Sequence, residues 1–275
     1  MQKLIEKYLK RESVFILNSQ LAFLALLRVM DIKKISIPAN APFWFATIPK
    51  FLGIDIELKD INLDFSSKSD IQNLFFESFE PKQGIIGYQN FGEVLGEFKV
   101  SLLEAENFCA VASKDEVLIK ELKKFIDSGV KKGKLWNFDI ETLGIDIKAK
   151  NLVMPDIKKI EEQKEIVDFF EKAFNKSRYL DILKISSKTI KTHYPVLLKP
   201  ELYCPKEDII SALIKSGFDL RVHFKPIYRL SLVGGDFLPI SEEVYKAQIS
   251  LPYTKEVLEP FLEILEKYSY RGCSF

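Results

Sequence analysis

Short apolar runs alternate with helical patterns along the first half of the chain. Three helices are predicted, over NSQLAFLALLRVM, over PFWFATIPKFLG and from Ser69–Asp70 to Phe76. The apolar runs beside them predict strands at 13–17, 35–37, 54–58 and 84–88. Runs that are apolar throughout and alternate with helices are typical of a parallel sheet covered on both faces. The pattern therefore predicts an α/β fold with a mostly parallel sheet.

The rhythm changes near residue 100. KVSLLEAENFCAVAS contains two apolar runs separated by EAEN, which predicts a hairpin at the edge of the sheet. The residues from Ser113 to Glu116 fit a capping box that opens the next helix. A long amphipathic helix is predicted to begin at Pro155, because proline is favoured at the first helical position.

The last third of the chain has a different order of elements. YPVLL (194–198) and LRVHF (220–224) predict strands, and PKEDIISALIKSG between them predicts a helix. This order indicates a small α+β domain. We expect a large domain over 1–150, followed by a linking helix and the small domain over 151–275.

Charge and composition exclude several classes of function. The chain has 40 Lys and Arg against 39 Asp and Glu, a net charge of +1, so neither nucleic acid nor a membrane surface is an expected partner. The most apolar window, Phe15–Met30, is too short and too polar to span a bilayer. The charged opening MQKLIEKYLKRES does not resemble a signal peptide, and three scattered cysteines form no disulfide framework. These features predict a reduced, cytoplasmic location.

Candidate chemistry is sparse. Asn18, Ser19 and Gln20 lie between a predicted strand and helix, where backbone N–H groups can meet an anion. A plain helix cap explains the same turn, which has no glycine. His193 and His223 are the only histidines, so no metal site is expected, and a structural role on a strand is the alternative for each.

Several segments stand in a recognisable order. RVHFKP is followed by a helix at Glu242–Gln248 and by Ser250-Leu251-Pro252, while WNFDIETLGIDIKAKNL, IDIELKDINLDF and GYQNFG (87–92) come earlier. This order resembles the DegT/DnrJ/EryC1/StrS family, whose members are PLP-dependent aminotransferases acting on nucleotide-linked sugars. The resemblance covers essentially the whole chain. It implies a three-layer PLP-transferase-like large domain and a small α+β C-terminal domain.

The resemblance also implies site residues. The cofactor-binding positions fall on Asn18, Ser19, Gln20, Trp44 and Gln89. Another register of the same segment places Pro42 where Trp44 would stack on the cofactor ring. Asp60 stands in the place of an aspartate-rich segment of the family. The small-domain segment that overlooks the family's active site implies substrate binding by Arg221, His223, Lys225, Tyr228 and Arg229.

The departures from the family concern its chemistry. Only thirteen residues, Glu93 to Ala105, separate Gly92 from ENFCAVASKDE, which resembles the family's GGAVVTNDE. The family has two further motifs in this interval, an aspartate that pairs with the pyridine nitrogen and a lysine that forms the Schiff base. Neither has a counterpart, and Lys99 is the only lysine there. Because PLP chemistry needs both groups, we expect no catalytic residue and no bound cofactor.

Three hypotheses follow, and whether the chain is an enzyme is left open. The first is a shortened, catalytically degenerate aminotransferase-like protein that binds a nucleotide-sugar or another phosphorylated ligand, or partners another subunit. The second is an active PLP-dependent sugar aminotransferase that uses an unrecognised lysine. The third is a structural or interaction protein without a ligand. The resemblance implies a homodimer, or a heteromer with a full-length paralogue.

Overall fold

The computed structural model describes residues 1–63, 65, 83–133, 137–183 and 188–270. Its α-helices are, in chain order, α1 (Gln2–Leu9), α2 (Ser19–Val29), α3 (Trp44–Phe51), α4 (Glu116–Ile126), α5 (Lys158–Phe174), α6 (Lys206–Lys215), α7 (Pro239–Ala247) and α8 (Leu258–Ser269). Its strands are β1 (Glu12–Ile16), β2 (Lys34–Pro38), β3 (Asp55–Lys59), β4 (Gln83–Asn90), β5 (Glu97–Glu104), β6 (Cys109–Ser113), β7 (Val130–Lys132), β8 (Phe138–Ile140), β9 (Leu180–Ile182), β10 (His193–Leu198) and β11 (Gln248–Pro252). The predicted helix that ends at Phe76 lies outside the described residues.

The strands predicted in the first half are present as β1 to β4, and the predicted hairpin is β5–β6. One described sheet has the order β1-β6-β5-β4, and β2 pairs with β3. The pairs β4–β5 and β2–β3 are parallel, whereas β1–β6 and β5–β6 are antiparallel. The sheet is thus more mixed than predicted, because a short turn such as the one joining β5 to β6 can connect only antiparallel neighbours.

The connection between β4 and β5 is unusually short. These parallel neighbours pair from Gln83–Glu97 to Asn90–Glu104, yet only residues 91–96 join them. An eight-residue strand is about 26 Å long at about 3.3 Å per residue, so six residues can return along it only when nearly extended. Parallel strands are normally joined by a dozen or more residues. No helix or further strand fits into this connection.

Gly92 fixes the start of that connection. It forms an isolated bridge to Thr189, and the N–H of Glu93 donates to the Lys188 carbonyl at 2.9 Å. A Cβ at Gly92 would lie 2.5 Å from the Lys188 oxygen, and the φ of +154° also favours glycine. The close approach of the two backbones therefore requires glycine here.

The N-termini of α2 and α4 are capped by a carboxamide and a carboxylate side chain. Asn18 accepts a hydrogen bond from the N–H of Leu21 at 2.9 Å and caps α2, as predicted. The capping box predicted at Ser113 is displaced, because Asp115 caps α4 by accepting from the N–H of Leu118 at 3.0 Å. Ser113 instead accepts from the N–H of Asp115 at 3.0 Å. The predicted start of α5 at Pro155 is three residues early.

The last third contains a three-stranded antiparallel sheet with the order β11-β10-β9. A separate core cluster, containing Phe170, Tyr194 and Phe261, uses only residues from 170 to 265. The strand predicted at 220–224 is wrong, since only Arg221 forms a bridge there, to Ser250. The separate core supports a distinct C-terminal unit, and the boundary at 150/151 stays a prediction.

Three general expectations can be compared with the described residues. None of the helices in these ranges is long and apolar enough to cross a membrane. No metal-ligand cluster is found among the residues that the structure describes. Cys109 is a buried free thiol, and the expected reduced location stays a prediction.

Candidate functional site

The turn before α2 is occupied by a carboxylate of the chain itself. Ser19, which is only 3 % exposed, donates its hydroxyl hydrogen bond to Glu104 Oε1 at 2.9 Å. The Tyr88 hydroxyl donates to Glu104 Oε2. Asn18 and Gln20 are exposed, and the Asn18 side chain serves the helix cap. Of the three predicted turn residues, Ser19 alone has its side chain at this anion.

The sheet places Glu104 at that turn. Glu104 is the last residue of β5 and pairs with Asn90, the last residue of β4. Its carbonyl also accepts from the N–H of Phe91 at 2.6 Å. Ligand sites of α/β sheets lie at the carboxyl ends of parallel strands. Sequence reasoning missed Glu104 and Tyr88, although an acidic residue directly after the apolar run VSLL was a usable signal.

The Glu104 carboxylate accepts hydrogen bonds from hydroxyl groups. In the described part of the chain Glu104 forms no salt bridge with lysine, arginine or histidine. Its charge affects the neighbouring strand: burial, with the Glu104 carboxylate adding to it, raises the pKa of the Cys109 thiol well above its usual value. Cys109 is fully buried and is therefore an inert thiol.

Trp44 lies inside an aromatic cluster. Its ring is 4.0 Å from Phe45, 5.3 Å from Tyr88 and 5.7 Å from Phe23, between centroids, and the side chain is 7 % exposed. The cluster connects Trp44 to Glu104 through Tyr88. Stacking of Trp44 on a cofactor ring stays a prediction, and in this arrangement the ring contacts protein side chains.

The Gln89 side chain is hydrogen-bonded to the short connection between β4 and β5. Its Nε2 donates to the Glu93 carbonyl at 2.7 Å, and its Oε1 accepts from the N–H of Leu95 at 3.4 Å. Gln89 is buried. Both ends of its amide are thus engaged with the backbone of residues 91–96.

Three lysines of the described residues have contacts other than Ser19. Lys99 is exposed at the opposite end of β5 from Glu104, where its Nζ lies 3.3 Å from Asp115. Lys191 is buried, and its Nζ donates to Thr189 Oγ1 at 2.8 Å. Lys206 is also buried and donates to the Tyr245 carbonyl, and burial lowers its pKa to about 8.

The predicted substrate residues lie in different environments. Arg221 is exposed and pairs with Asp219 at 3.1 Å. His223 is buried, and its Nδ1 lies 2.8 Å from Ser250 Oγ. Burial lowers the pKa of His223 to about 4, helped by the charges of His193 and Arg221.

Tyr228 and Arg229 are brought together by Glu242. The Tyr228 hydroxyl donates to Glu242 Oε2 at 2.8 Å, and Arg229 Nε donates to the same oxygen at 2.9 Å. Arg229 also donates through a second nitrogen to Oε1, so the pair is bidentate. Burial and the Glu242 charge raise the pKa of Tyr228. Lys225 is exposed and forms no ion pair within the described ranges.

A cofactor phosphate fits the Ser19 turn only if Glu104 leaves it. The Ser19 hydroxyl has a single hydrogen to donate, and in this structure Glu104 receives it. A phosphate at the same place would also be repelled by the carboxylate. The structure therefore provides the donors of an anion site together with a competing anion.

The chain matches known relatives in sequence over part of its length. No protein-family model matches the chain. A UDP-4-amino-4,6-dideoxy-N-acetyl-beta-L-altrosamine transaminase of Campylobacter jejuni is 32% identical over 186 residues, which are 60% of this chain and 50% of the relative. One of the same description from Helicobacter pylori is 26% identical over 157 residues, 52% of this chain and 42% of the relative. The chain thus spans about half the length of the curated relatives it matches.

Solved structures match the fold over nearly the whole chain. Helicobacter pylori PseC, an aminotransferase involved in the biosynthesis of pseudoaminic acid, has a TM-score of 0.80 at 16% identity, covering 98% of this chain and 90% of that chain. A putative sugar aminotransferase of Streptococcus pneumoniae in its PLP form has a TM-score of 0.78 at 16% identity, with the same coverage. A DegT DnrJ EryC1 StrS aminotransferase from Brucella abortus has 0.72 at 13% identity, covering 98% and 89%. These likenesses confirm the predicted fold.

The comparisons also correct one expectation and confirm another. The expectation that no cofactor is bound is wrong, because the relatives are transaminases and a fold neighbour is known in a PLP form and a PMP form, which indicates PLP. The resemblance itself holds. The chain is homologous to sugar transaminases of the DegT/DnrJ/EryC1/StrS type and has the fold of PLP-dependent aminotransferases.

Proposed function

We propose that this chain binds a nucleotide-linked sugar in an aminotransferase fold, with PLP as its cofactor, and that it has lost its own capacity for amino transfer. The ligand class is supported by the relatives, which are named as UDP-sugar transaminases. The observation that carries the lost chemistry is the six-residue connection between β4 and β5. It supports the absence of the segment that holds the pyridine-pairing aspartate and the Schiff-base lysine in the family.

Lys225 is the residue we propose for contact with the nucleotide phosphates. Among the three predicted substrate cations, Arg221 is paired with Asp219 and Arg229 with Glu242. Lys225 is exposed and meets no carboxylate in the part of the chain that is described. An unpaired exposed ammonium group can meet a phosphate without first breaking an internal ion pair.

Calorimetric titration with the UDP-amino-sugar named for the relatives tests the ligand. We expect binding in the presence of PLP, and about fivefold to tenfold weaker binding by Lys225→Ala, which is about 1 kcal/mol. Lys176→Ala removes an exposed lysine elsewhere and should bind as the parent does. No binding by the folded parent chain would overturn the proposed ligand, and equal affinity of the two variants would overturn the role of Lys225.

A second candidate is an active PLP-dependent aminotransferase, and the buried lysines favour it. Lys191 follows Ile190, whose N–H donates to the Phe91 carbonyl at 2.8 Å, at the end of the sheet where Glu104 lies. Lys206 has a pKa lowered by burial, which makes an amine more nucleophilic at neutral pH. Amino transfer from glutamate that is lost in Lys191→Ala or Lys206→Ala, with the fold retained, would support this candidate.

We also propose that the chain works as a homodimer, or with a longer paralogue, and that it is located in the cytoplasm. Exposed apolar side chains along and after β8, namely Phe138, Ile140 and Leu143, support an interaction surface. Light scattering on the purified chain, alone and with a co-expressed paralogue, tests the assembly, and cell fractionation tests the location. A monomer under both conditions would contradict the proposed assembly. It would also mean that this surface does not support the third hypothesis, a structural or interaction protein.

A further inference from the structure

Glu104 accepts hydrogen bonds from Ser19 and Tyr88, and other contacts hold these two donors in position. Ser19 is the first residue of α2, a helix of eleven residues whose N-terminus favours negative charge. Tyr88 is on β4, where its ring packs against Trp44 and Phe45. Helix and strand therefore hold the two hydroxyl groups in place on either side of the carboxylate.

The carboxylate itself can move without disturbing the sheet. The backbone of Glu104 is fixed by pairing with Asn90 and Cys109 on the two neighbouring strands. Its side chain is half-buried, has rotatable bonds and forms no ion pair in the described part of the chain. Rotation into solvent would break two hydrogen bonds and leave the Ser19 hydroxyl for another anion.

We propose that Glu104 is an intramolecular competitor for the phosphate group of PLP and sets the affinity of this chain for the cofactor. The phosphate takes the Ser19 hydroxyl only after the Glu104 carboxylate has turned away. Part of the phosphate's binding free energy is then used to displace Glu104, so cofactor binding is weakened but retained. This inference rests on the proposed function only in taking PLP as the cofactor.

Replacing the charge of Glu104 tests the competition. Titration calorimetry measures the affinity of the parent chain, Glu104→Gln and Glu106→Gln for PLP, pyridoxal and inorganic phosphate. Glu106 is exposed two residues further on, so its variant carries the same change of charge. We expect Glu104→Gln to bind PLP and phosphate about tenfold more tightly, since like charges at close range repel. Pyridoxal, which has no phosphate, should bind all three proteins equally.

A second variant keeps the test decisive if Glu104→Gln does not fold. Tyr88→Phe removes one hydrogen bond to the carboxylate and should raise PLP affinity by about threefold or more, because a hydrogen bond to a charged group contributes more than a neutral one. Equal PLP affinity in Glu104→Gln and Glu106→Gln, or a gain that pyridoxal shares, would overturn the inference. The titration with UDP-sugar is separate, so loss of the nucleotide-sugar hypothesis leaves this result unchanged.

Discussion

Asp60 accepts hydrogen bonds from both the N–H and the hydroxyl of Ser241, at 2.8 Å and 2.7 Å. It also accepts from the N–H of Ile240 at 3.1 Å. Asp60 follows β3, whereas Ser241 is in the first turn of α7, so a carboxylate from the first half of the chain caps a helix of the last third. This contact joins the end of β3 to α7, whose Glu242 binds the predicted substrate residues Tyr228 and Arg229.

Asp60→Ala should destabilise the protein by about 1–2 kcal/mol, because α7 loses its cap. Burial alone would raise the pKa of Asp60, but the hydrogen bonds from Ser241, Ile240 and Ile61 lower it. Its contribution is therefore present above the unfolded-state pKa and is lost as the pH falls through the lower folded-state pKa. Urea titrations at pH 7 and pH 3 should find the two proteins closer in stability at pH 3. A constant difference, or a similar cost in exposed Asp168→Asn, would contradict the cap.

Arg229→Ala should cost about 2 kcal/mol or more, since it leaves the buried Glu242 carboxylate without its bidentate partner. Arg229→Lys should recover only part of this, because lysine cannot form the two parallel hydrogen bonds. Urea unfolding measures both, and Lys225→Ala on the exposed neighbour should change stability by less than about 0.5 kcal/mol. If Arg229→Ala keeps full stability and loses only UDP-sugar affinity, Arg229 serves the ligand and this interpretation of Glu242 is wrong.

His223→Gln should reduce the acid sensitivity of the fold. The folded-state pKa of His223 is about 4, below its unfolded value near 6.5, so the unfolded chain binds the proton first. Stability from the neutral imidazole is present above pH 6.5 and is lost as the pH falls towards 4. The parent should lose about 2–3 kcal/mol more than the variant over this range.

The same experiment must allow for the groups around His223. His193, Asp219 and Arg221 are the charged or titratable side chains that affect it, and all three remain in the variant. Their contributions therefore cancel when the two pH profiles of unfolding free energy are subtracted. Parallel profiles between pH 7 and pH 4 would contradict a neutral, buried His223.

Gly92→Ala should be more destabilising than Gly217→Ala. Both glycines have positive φ, but a Cβ at Gly92 meets the Lys188 oxygen at 2.5 Å whereas none meets an atom within 4 Å at Gly217. We expect about 1 kcal/mol for Gly217→Ala from backbone strain and about 3 kcal/mol or more for Gly92→Ala. Chemical denaturation of the two variants gives both values. Equal losses would mean that residues 188–190 can move away from the connection between β4 and β5.

The sequence predicted local elements better than the contacts between them. The cap at Asn18, the β5–β6 hairpin and α6 follow from polar and apolar positions within a few residues. LRVHF has a strand-like alternation, yet among its residues only Arg221 forms a β-bridge, because strand formation depends on an adjacent strand that local sequence does not specify.

The contacts at the candidate site could not be predicted from local sequence for the same reason. Ser19 and Glu104 are 85 positions apart, and Asp60 and Ser241 are 181 apart. Nothing within a few residues of Ser19 indicates that a carboxylate will lie there. The family resemblance directed attention to the Ser19 turn, but only the fold brings Glu104 to it.

Amino transfer by the isolated chain tests the proposed function most directly. The chain is incubated with saturating PLP, glutamate and the 4-keto-UDP-sugar that corresponds to the relatives' amino-sugar, and the amino-sugar is measured by mass spectrometry. We expect binding of the UDP-sugar and formation of amino-sugar at no more than the rate of PLP without protein. Multiple turnovers by the isolated chain, abolished by a single lysine-to-alanine substitution that leaves it folded, would contradict the proposed loss of chemistry.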